Sequence, residues 1–413
     1  MFSWFKDLDR RERRTFWACF NGWALDAMDA QLYALSIPAL IAAWSMSKSE
    51  AGILGTVALV TSAIGGWIAG VLSDRYGRVR VLQFTILWFS LFTCLSGLTH
   101  SFEQLLIVRA LQGFGFGGEW AAGAVLMGEV IQAKHRGKAV GLVQAGLAVG
   151  YGIAVLIVTV SYSVLPQDYA WRVPFFFGLL PALLVFYVRK FVEEPEVFTK
   201  TRERIAAGEK AARAVEIFAP DMIARTSLAT LLIFGILGGS YISLTWLPTF
   251  LNQARGLKVS GTSLFLLVTI TGQFCGYVAS AHLSDYLGRR KTFILFAICA
   301  AVVAVVYTRA NLGDAALLAM GWPLGFFQSG VLAGTGAFLT ELFPTRIRGN
   351  AQGFSYNAGR GLAALFPALV GYYSDQFSLG SMFGGFIVIA YAIVVIAALL
   401  LPETRGKELL VYE

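Results

Sequence analysis

Charge is scarce in this sequence. Of its 413 residues, 14% are charged and 57% are hydrophobic, whereas a soluble chain carries about 25% charged residues. Intrinsic disorder is excluded, and a water-soluble globular enzyme nearly so. Cysteine is scarcer still. Cys19, Cys94, Cys275 and Cys299 fall singly in apolar runs and form neither a disulfide framework nor a CxxC metal site. The three histidines, His100, His135 and His282, show no ligand spacing, and no HExxH is present. A membrane-embedded enzyme would need clustered catalytic or metal-binding groups, so none is expected, nor any metal or cofactor. There is no nucleotide-binding P-loop. No cleavable signal peptide is evident, because Asp26 and Asp29 interrupt the first apolar run.

What is abundant is long apolar sequence. Twelve stretches recur, roughly at 16–44, 52–72, 80–99, 103–128, 138–162, 171–190, 225–252, 262–283, 291–310, 315–340, 351–374 and 381–401. Each is long enough for a hydrocarbon core of about 30 Å, which takes about 20 helical residues. Inside lipid the backbone must bond within its own segment, so these runs predict helices. Lys and Arg set the orientation. We count 26 of them at the N-terminus, in every second loop after it and at the C-terminal end. Five face the other way (Lys48, Arg172, Arg255, Lys258 and Arg309), and two lie within the stretches. Both termini are therefore expected in the cytoplasm of a cell inner membrane. The net charge of +8 is a topology signal and no nucleic-acid footprint.

The chain repeats one plan twice. SDRYGRVR at 73–80 recurs as SDYLGRRK at 284–291, which places Asp74 on Asp285 at an offset of 211. GEVIQAKHRGKAVG at 128–141 recurs as TELFPTRIRGNAQG at 340–353, which places Glu129 on Glu341 and Arg136 on Arg348 at an offset of 212. The expected division is a six-helix half over 1–190, a polar cytoplasmic linker over 191–224 and a second half over 225–413. Parallel six-helix repeats with a small molecule held between them are a transporter plan.

These motifs resemble the major facilitator superfamily. GVLSDRYGR at 70–78 is similar to its signature between helices 2 and 3, and RALQGFGFG at 109–117 to its helix 4 signature. LDAMD at 25–29, GGEWAAGAVLMGE at 117–129 and WRVPFFFGLLPALL at 171–184 resemble the metabolite–proton symporters for aromatic acids, muconate and sialate. LDAMD differs from the LDGFD form of that group at Ala27 and Met28. The resemblance implies an all-helical membrane fold of two pseudo-symmetric bundles. It also implies proton-coupled uptake of a small carboxylate-bearing metabolite by a protein expected to act as a monomer. Proton-driven export of amphipathic compounds is the alternative. It would call for a proline in the fifth stretch, where GLAVGYGIAVL at 146–156 has none.

A charge at mid-membrane costs roughly 3 kcal/mol or more, so each one is a functional candidate. They are Asp26, Asp29, Arg109, Glu119 and Arg360. Asp26 and Asp29 stand three residues apart on one helical face. Burial disfavours the charged form of a carboxyl, and a second carboxylate disfavours it further. The pair therefore suits a proton carrier, with a structural ion pair as the alternative. The resemblance implies that Asp29 couples protons and that Arg109 pairs with it. Arg109, Gln112, Phe116 and Glu119 share one stripe, and Glu119 belongs either to proton binding or to the same network. Arg360, with Tyr356 and Asn357 on its face, presents a planar fork that matches a carboxylate. The alternative is pairing with Asp26 or Asp29. Gln144, Tyr151, Tyr241, Trp246, Gln273, Tyr277 and Gln328 are candidates to shape the cavity; packing is the alternative for each aromatic. The resemblance assigns a cytoplasmic gate to Asp74, Arg75, Arg78, Glu129 and Arg136, and to Asp285, Arg289, Arg290, Glu341 and Arg348. It implies interlocking ion pairs between the halves there in the outward-open state.

Overall fold

Apolar composition decides the element type: the computed structural model is helical throughout, with no strand among the described residues. The structure describes residues 5, 7–130, 139, 142–191, 214–257, 259–344 and 347–405. The first half runs α1 (Arg10–Trp44), α2 (Lys48–Tyr76), α3 (Arg78–Ser96), α4 (Phe102–Val130), α5 (Gly146–Val164) and a segmented α6 (173–191). The second runs α7 (Ile223–Thr249), α8 (Val259–Leu287), α9 (Arg289–Arg309), α10 (Asp314–Leu342), a jointed α11 (348–374) and α12 (Leu379–Leu400). Eight of these helices are long and apolar enough to cross a membrane. Helices α1, α4, α6 and α11 are outside that eight. Three of the four carry the intramembrane charges, and α6 is broken near Phe177–Leu179. Most of the expected linker lies outside the described residues; its end, Ala214–Phe218, forms a short 3-10 turn.

Local signals set the ends. At α1, Glu12 N–H donates to Asp9 Oδ1 at 2.7 Å and Asp9 N–H to Glu12 Oε2 at 2.9 Å. This reciprocal cap satisfies two otherwise orphaned amides. The sequence repeat reappears as backbone geometry. Gly77 opens α3 at φ 104° and Gly288 opens α9 at φ 97°. Only glycine adopts that conformation without strain, so the two SDxxGR-type motifs make the same turn.

Helix α2 packs on α4 and α8 on α10, the same pairing in each half. Helix α5 lies against α1, where Gly150 abuts the backbone of Ala24. In lipid, helices associate through close packing, which small residues permit. A methyl at Gly150 would collide with the Ala24 carbonyl. Gly150→Ala is therefore expected to destabilise the fold by about 1–3 kcal/mol through overpacking. The measurement is the unfolding temperature in detergent, and an unchanged value would refute this account of the α1–α5 contact.

The halves meet through α2 with α11, α5 with α8 and α1 with α7. Among the described residues, their hydrogen bonds cluster at the end of the bundle away from the chain termini. Thr56 Oγ1 donates to Ala364 O at 2.7 Å, Lys48 Nζ to Ser374 O at 3.2 Å and Ser49 N to Asp375 Oδ2 at 3.3 Å. Thr159 and Ser263 hydroxyls meet at 2.5 Å. That end is closed.

Candidate substrate cavity and its buried charges

Between the halves lies a cavity of about 140 Å³. From the first half, Trp23, Gln31 and Tyr33 of α1, Arg109 and Phe116 of α4 and Tyr151 of α5 reach it. From the second, Ser243 and Tyr241 of α7, Gln273 and Tyr277 of α8, Gln328 of α10, and Tyr356 and Arg360 of α11 do so. Several of the sequence candidates thus converge on one space: Arg109, Tyr151, Tyr241, Gln273, Tyr277, Gln328, Tyr356 and Arg360.

Three of the cavity candidates lie elsewhere. Gln144 is buried near the start of α5, outside the cavity wall. Asn357 donates from Nδ2 to Gly353 O at 3.0 Å, and its Oδ1 side abuts Gly66 of α2. It packs between the halves because Gly66 leaves room for it. Trp246 is fully buried and donates from Nε1 to Pro367 O at 3.0 Å. It pins α7 to α11, since a buried indole N–H needs an acceptor. Glu119 lies on α4, with its side chain outside the described residues.

Arg360 is 3% exposed. Its Nε donates to Tyr241 Oη at 3.2 Å, and its guanidinium carbon sits 5.3 Å from the Phe116 ring centroid and 5.5 Å from that of Tyr356. The Asp26 carboxylate acts on it electrostatically. Its Nη1 has no hydrogen-bond partner, and a buried donor left so costs about 1–3 kcal/mol, more for a charged group.

Asp26 and Asp29 are buried beside the cavity, outside its wall. From α1 the wall takes Trp23, Ala27, Ala30, Gln31, Tyr33 and Ala34. Neither aspartate is among them, although Tyr33 stands one turn after Asp29. Asp29 Oδ2 instead accepts from Thr93 Oγ1 of α3 at 2.7 Å and from Gln112 Nε2 at 2.6 Å. Gln112 Oε1 in turn accepts from Arg109 Nη1 at 2.6 Å. Gln112 therefore stands between the buried carboxylate and an arginine of the cavity wall. The Arg109 guanidinium also rests on the Tyr33 ring, 4.3 Å from its centroid. Tyr33 Oη donates to Ala51 O at 2.6 Å, which fixes the ring.

At the end that bears the termini, Arg289 makes a two-pronged ion pair with Glu341, at 3.2 Å and 2.9 Å. Arg289 also donates to Ser284 Oγ at 2.8 Å, and Thr404 Oγ1 donates to Glu341 at 2.7 Å. Glu403 accepts from the backbone amides of Arg289 and Arg290 at 2.9 Å and 3.2 Å. Carboxylates are favoured at a helix N-terminus of this kind. This pair lies within the second half, between the start of α9 and the end of α10. The side chains of Asp74, Arg75, Arg78, Glu129, Asp285 and Arg348, and all of Arg136, lie outside the described residues.

Several polar wall or network residues had no place in the sequence reading, among them Trp23, Gln31, Ser243 and Thr93. Trp23 and Gln31 share α1 with the aspartates, Gln31 on the opposite face, and Thr93 looks like an ordinary hydroxyl in an apolar helix. Gln31 alone carried a signal, an amide within an apolar run.

The model of the Major Facilitator Superfamily matches residues 20–311 and 275–411. A probable 4-methylmuconolactone transporter of Cupriavidus pinatubonensis (strain JMP 134 / LMG 1197) is 45% identical over 406 residues, covering 98% of this chain and 94% of the relative. A cis,cis-muconate transport protein of Acinetobacter baylyi (strain ATCC 33305 / BD413 / ADP1) is 33% identical over 401 residues, covering 94% of each. The structure of the proton:xylose symporter XylE bound to 6-bromo-6-deoxy-D-glucose superposes with a TM-score of 0.78 at 20% identity, over 96% of this chain and 97% of that one. That likeness concerns the fold.

Proposed function

The chain belongs to the major facilitator superfamily and is a membrane transporter, not an enzyme; from this premise we propose that it takes up a small carboxylate-bearing metabolite together with protons by alternating access. An aromatic acid, a muconate-like dicarboxylate and sialic acid are the substrate types of the group it resembles. The relatives named for muconate and 4-methylmuconolactone favour the smaller of these. So does a cavity of about 140 Å³, small beside the roughly 300–1,000 Å³ of sites for drug-sized ligands. In this reading the membrane is a cell inner membrane with both termini in the cytoplasm. The halves are 1–190 and 225–413, joined by 191–224, and move as two bodies in a monomer.

One observation carries the substrate class. Arg360 is buried in the cavity wall with Nη1 unpartnered. A substrate carboxylate completes it, since charge-assisted bonds to arginine are strong and directional. Protons enter at Asp29, and Gln112 and Arg109 carry the change to the cavity. The gate residues of the two repeats, from Asp74 to Arg136 and from Asp285 to Arg348, hold the termini-bearing end when the other end opens. Two alternative closures supply the bistable element that alternating access requires.

A thermal-shift screen of the purified protein against small monocarboxylates, dicarboxylates, polyols and organic amines tests the class. A ligand at 100 times its Kd adds about 2.7 kcal/mol to the folded state. Carboxylates are expected to raise the unfolding temperature. Stabilisation by amines or polyols alone would overturn the reading.

A further inference from the structure

Resting on the alternating-access part of that reading alone, we propose that Lys48 and Asp375 are gate residues of the end away from the chain termini. Each binds the helix terminus of the opposite half, and this exchange of termini, rather than a side-chain ion pair, holds that end shut.

The contacts lie where two helices end. Helix α2 of the first half begins at Lys48, and α11 of the second half ends at Ser374. The first amides of a helix and its last carbonyls have no partner within the helix. Here a charged side chain from the other half meets one of each. Asp375 Oδ2 accepts from the Ser49 amide at 3.3 Å, and Lys48 Nζ donates to Ser374 O at 3.2 Å. A carboxylate at a helix N-terminus and an ammonium at a C-terminus are the pairings that the helix dipole favours.

Both charges stand at the wrong end of their own helix. Lys48 is the first residue of α2, and Asp375 caps the last turn of α11, its amide donating to Tyr372 O at 3.3 Å. A cation at an N-terminus and an anion at a C-terminus are disfavoured. Contact between the halves offsets both. Separation loses two favourable contacts and leaves each charge beside a helix end of its own sign. Helix α2 is capped without Asp375, because Ser47 Oγ accepts from Glu50 N at 3.1 Å and Glu50 Oε2 accepts from Ser47 N at 2.8 Å. The bond to Asp375 is therefore free to break and re-form without unwinding α2.

Glycines bring the termini within reach. A methyl at Gly52 would meet Pro367 O, and one at Gly371 would meet Lys48 O. Small residues of this kind let helices approach closely in a membrane. Asp375 is exposed and Lys48 half-buried, so each contact is modest. That suits a closure which has to be undone in every transport cycle.

The reporter is Ala364→Cys, in a protein whose four native cysteines are replaced by alanine. Ala364 is fully buried on α11, and its carbonyl accepts from Thr56 of α2. Maleimide labelling of this cysteine therefore reads the separation of α2 from α11. With Asp375→Asn or Lys48→Gln added, the labelling rate is expected to rise at least about threefold. The exchanged pair, Lys48→Asp with Asp375→Lys, separates the two kinds of closure. A side-chain ion pair survives exchange of its members. A terminus latch does not, since the new carboxylate faces carbonyls, the new ammonium faces amides, and each now suits its own helix. Labelling of the exchanged protein is expected to exceed that of either single variant. A return to the wild-type rate overturns the latch, and so do unchanged rates in both single variants, which decide the matter should the exchanged protein fail to fold. The unfolding temperature in detergent serves as control. Should Ala364→Cys label only in denaturant, with the wild-type latch and with every variant, the halves do not part at this end, and the alternating-access reading fails together with this inference.

Discussion

Replacing Arg360 by lysine will weaken binding of a carboxylate substrate by roughly 10- to 100-fold while the bundle stays folded. The magnitude follows from the loss of one charged hydrogen bond, about 1.5–3 kcal/mol, at 1.4 kcal/mol per tenfold. Lysine keeps the charge but is a compact point donor on a flexible stem, and it cannot reproduce the planar fork. In Arg360 the fork has divided duties: Nε is committed to Tyr241, and Nη1 is left for the cavity. A lysine ammonium can satisfy one of these points but not both in fixed geometry. Retained charge also keeps the Asp26 field compensated, so folding should survive. Titration of the purified variant, with its unfolding temperature as control, gives the answer. Wild-type affinity in a folded Arg360→Lys protein would remove Arg360 from the substrate site.

Arg360 was legible in the sequence because a membrane makes charge conspicuous. The helical fold was legible for the same reason: long apolar runs have one solution in lipid. The repeat was legible in SDRYGRVR and SDYLGRRK, and the matching turns at Gly77 and Gly288 are its structural form. The rotation of α1 was not. Its polar stripe, Asp26 and Asp29, and its small-residue stripe, Ala27, Ala30 and Ala34, are neighbours, and periodicity alone does not say which meets the partner half. Trp246 and Asn357 show a second limit. Their side chains read as cavity groups, yet a local acceptor at Pro367 and the space at Gly66 take them up as packing. Thr93 shows a third. Its hydroxyl bonds its own helix at Phe89 O as many threonines do, and only the fold brings Asp29 beside it.

Replacing Asp29 by asparagine will abolish uphill accumulation driven by a pH gradient, while substrate exchange across liposomes continues within a few-fold of wild type. A carboxylate substrate is negative, and so is a cell interior. Moving one such charge inward costs roughly 2.3 kcal/mol per 100 mV, which accompanying protons offset. The carrier has to exchange its proton in step with the closure that moves the substrate. Asp29 is placed for this by its bonds rather than by contact with the cavity. As a carboxylate it accepts from Thr93 and Gln112, and Gln112 holds Arg109 in the wall. Protonation adds a donor where only acceptors stood. Protonation also removes the charge that strengthens the two bonds to Oδ2, so Gln112 is held more loosely, with Arg109 following. Asparagine imitates that state permanently, having one acceptor and one donor group of the same size. The binding site and the alternation remain, so exchange persists, but no proton is carried. Proteoliposomes with an imposed pH gradient, assayed for accumulation and separately for exchange, separate the two functions. Asp26→Asn serves as the companion. If both variants still accumulate substrate with the pH gradient, neither aspartate carries the proton, and Glu119 becomes the residue to test. If Asp29→Asn loses exchange as well, the Asp29–Gln112–Arg109 chain holds the fold or the substrate and does not couple.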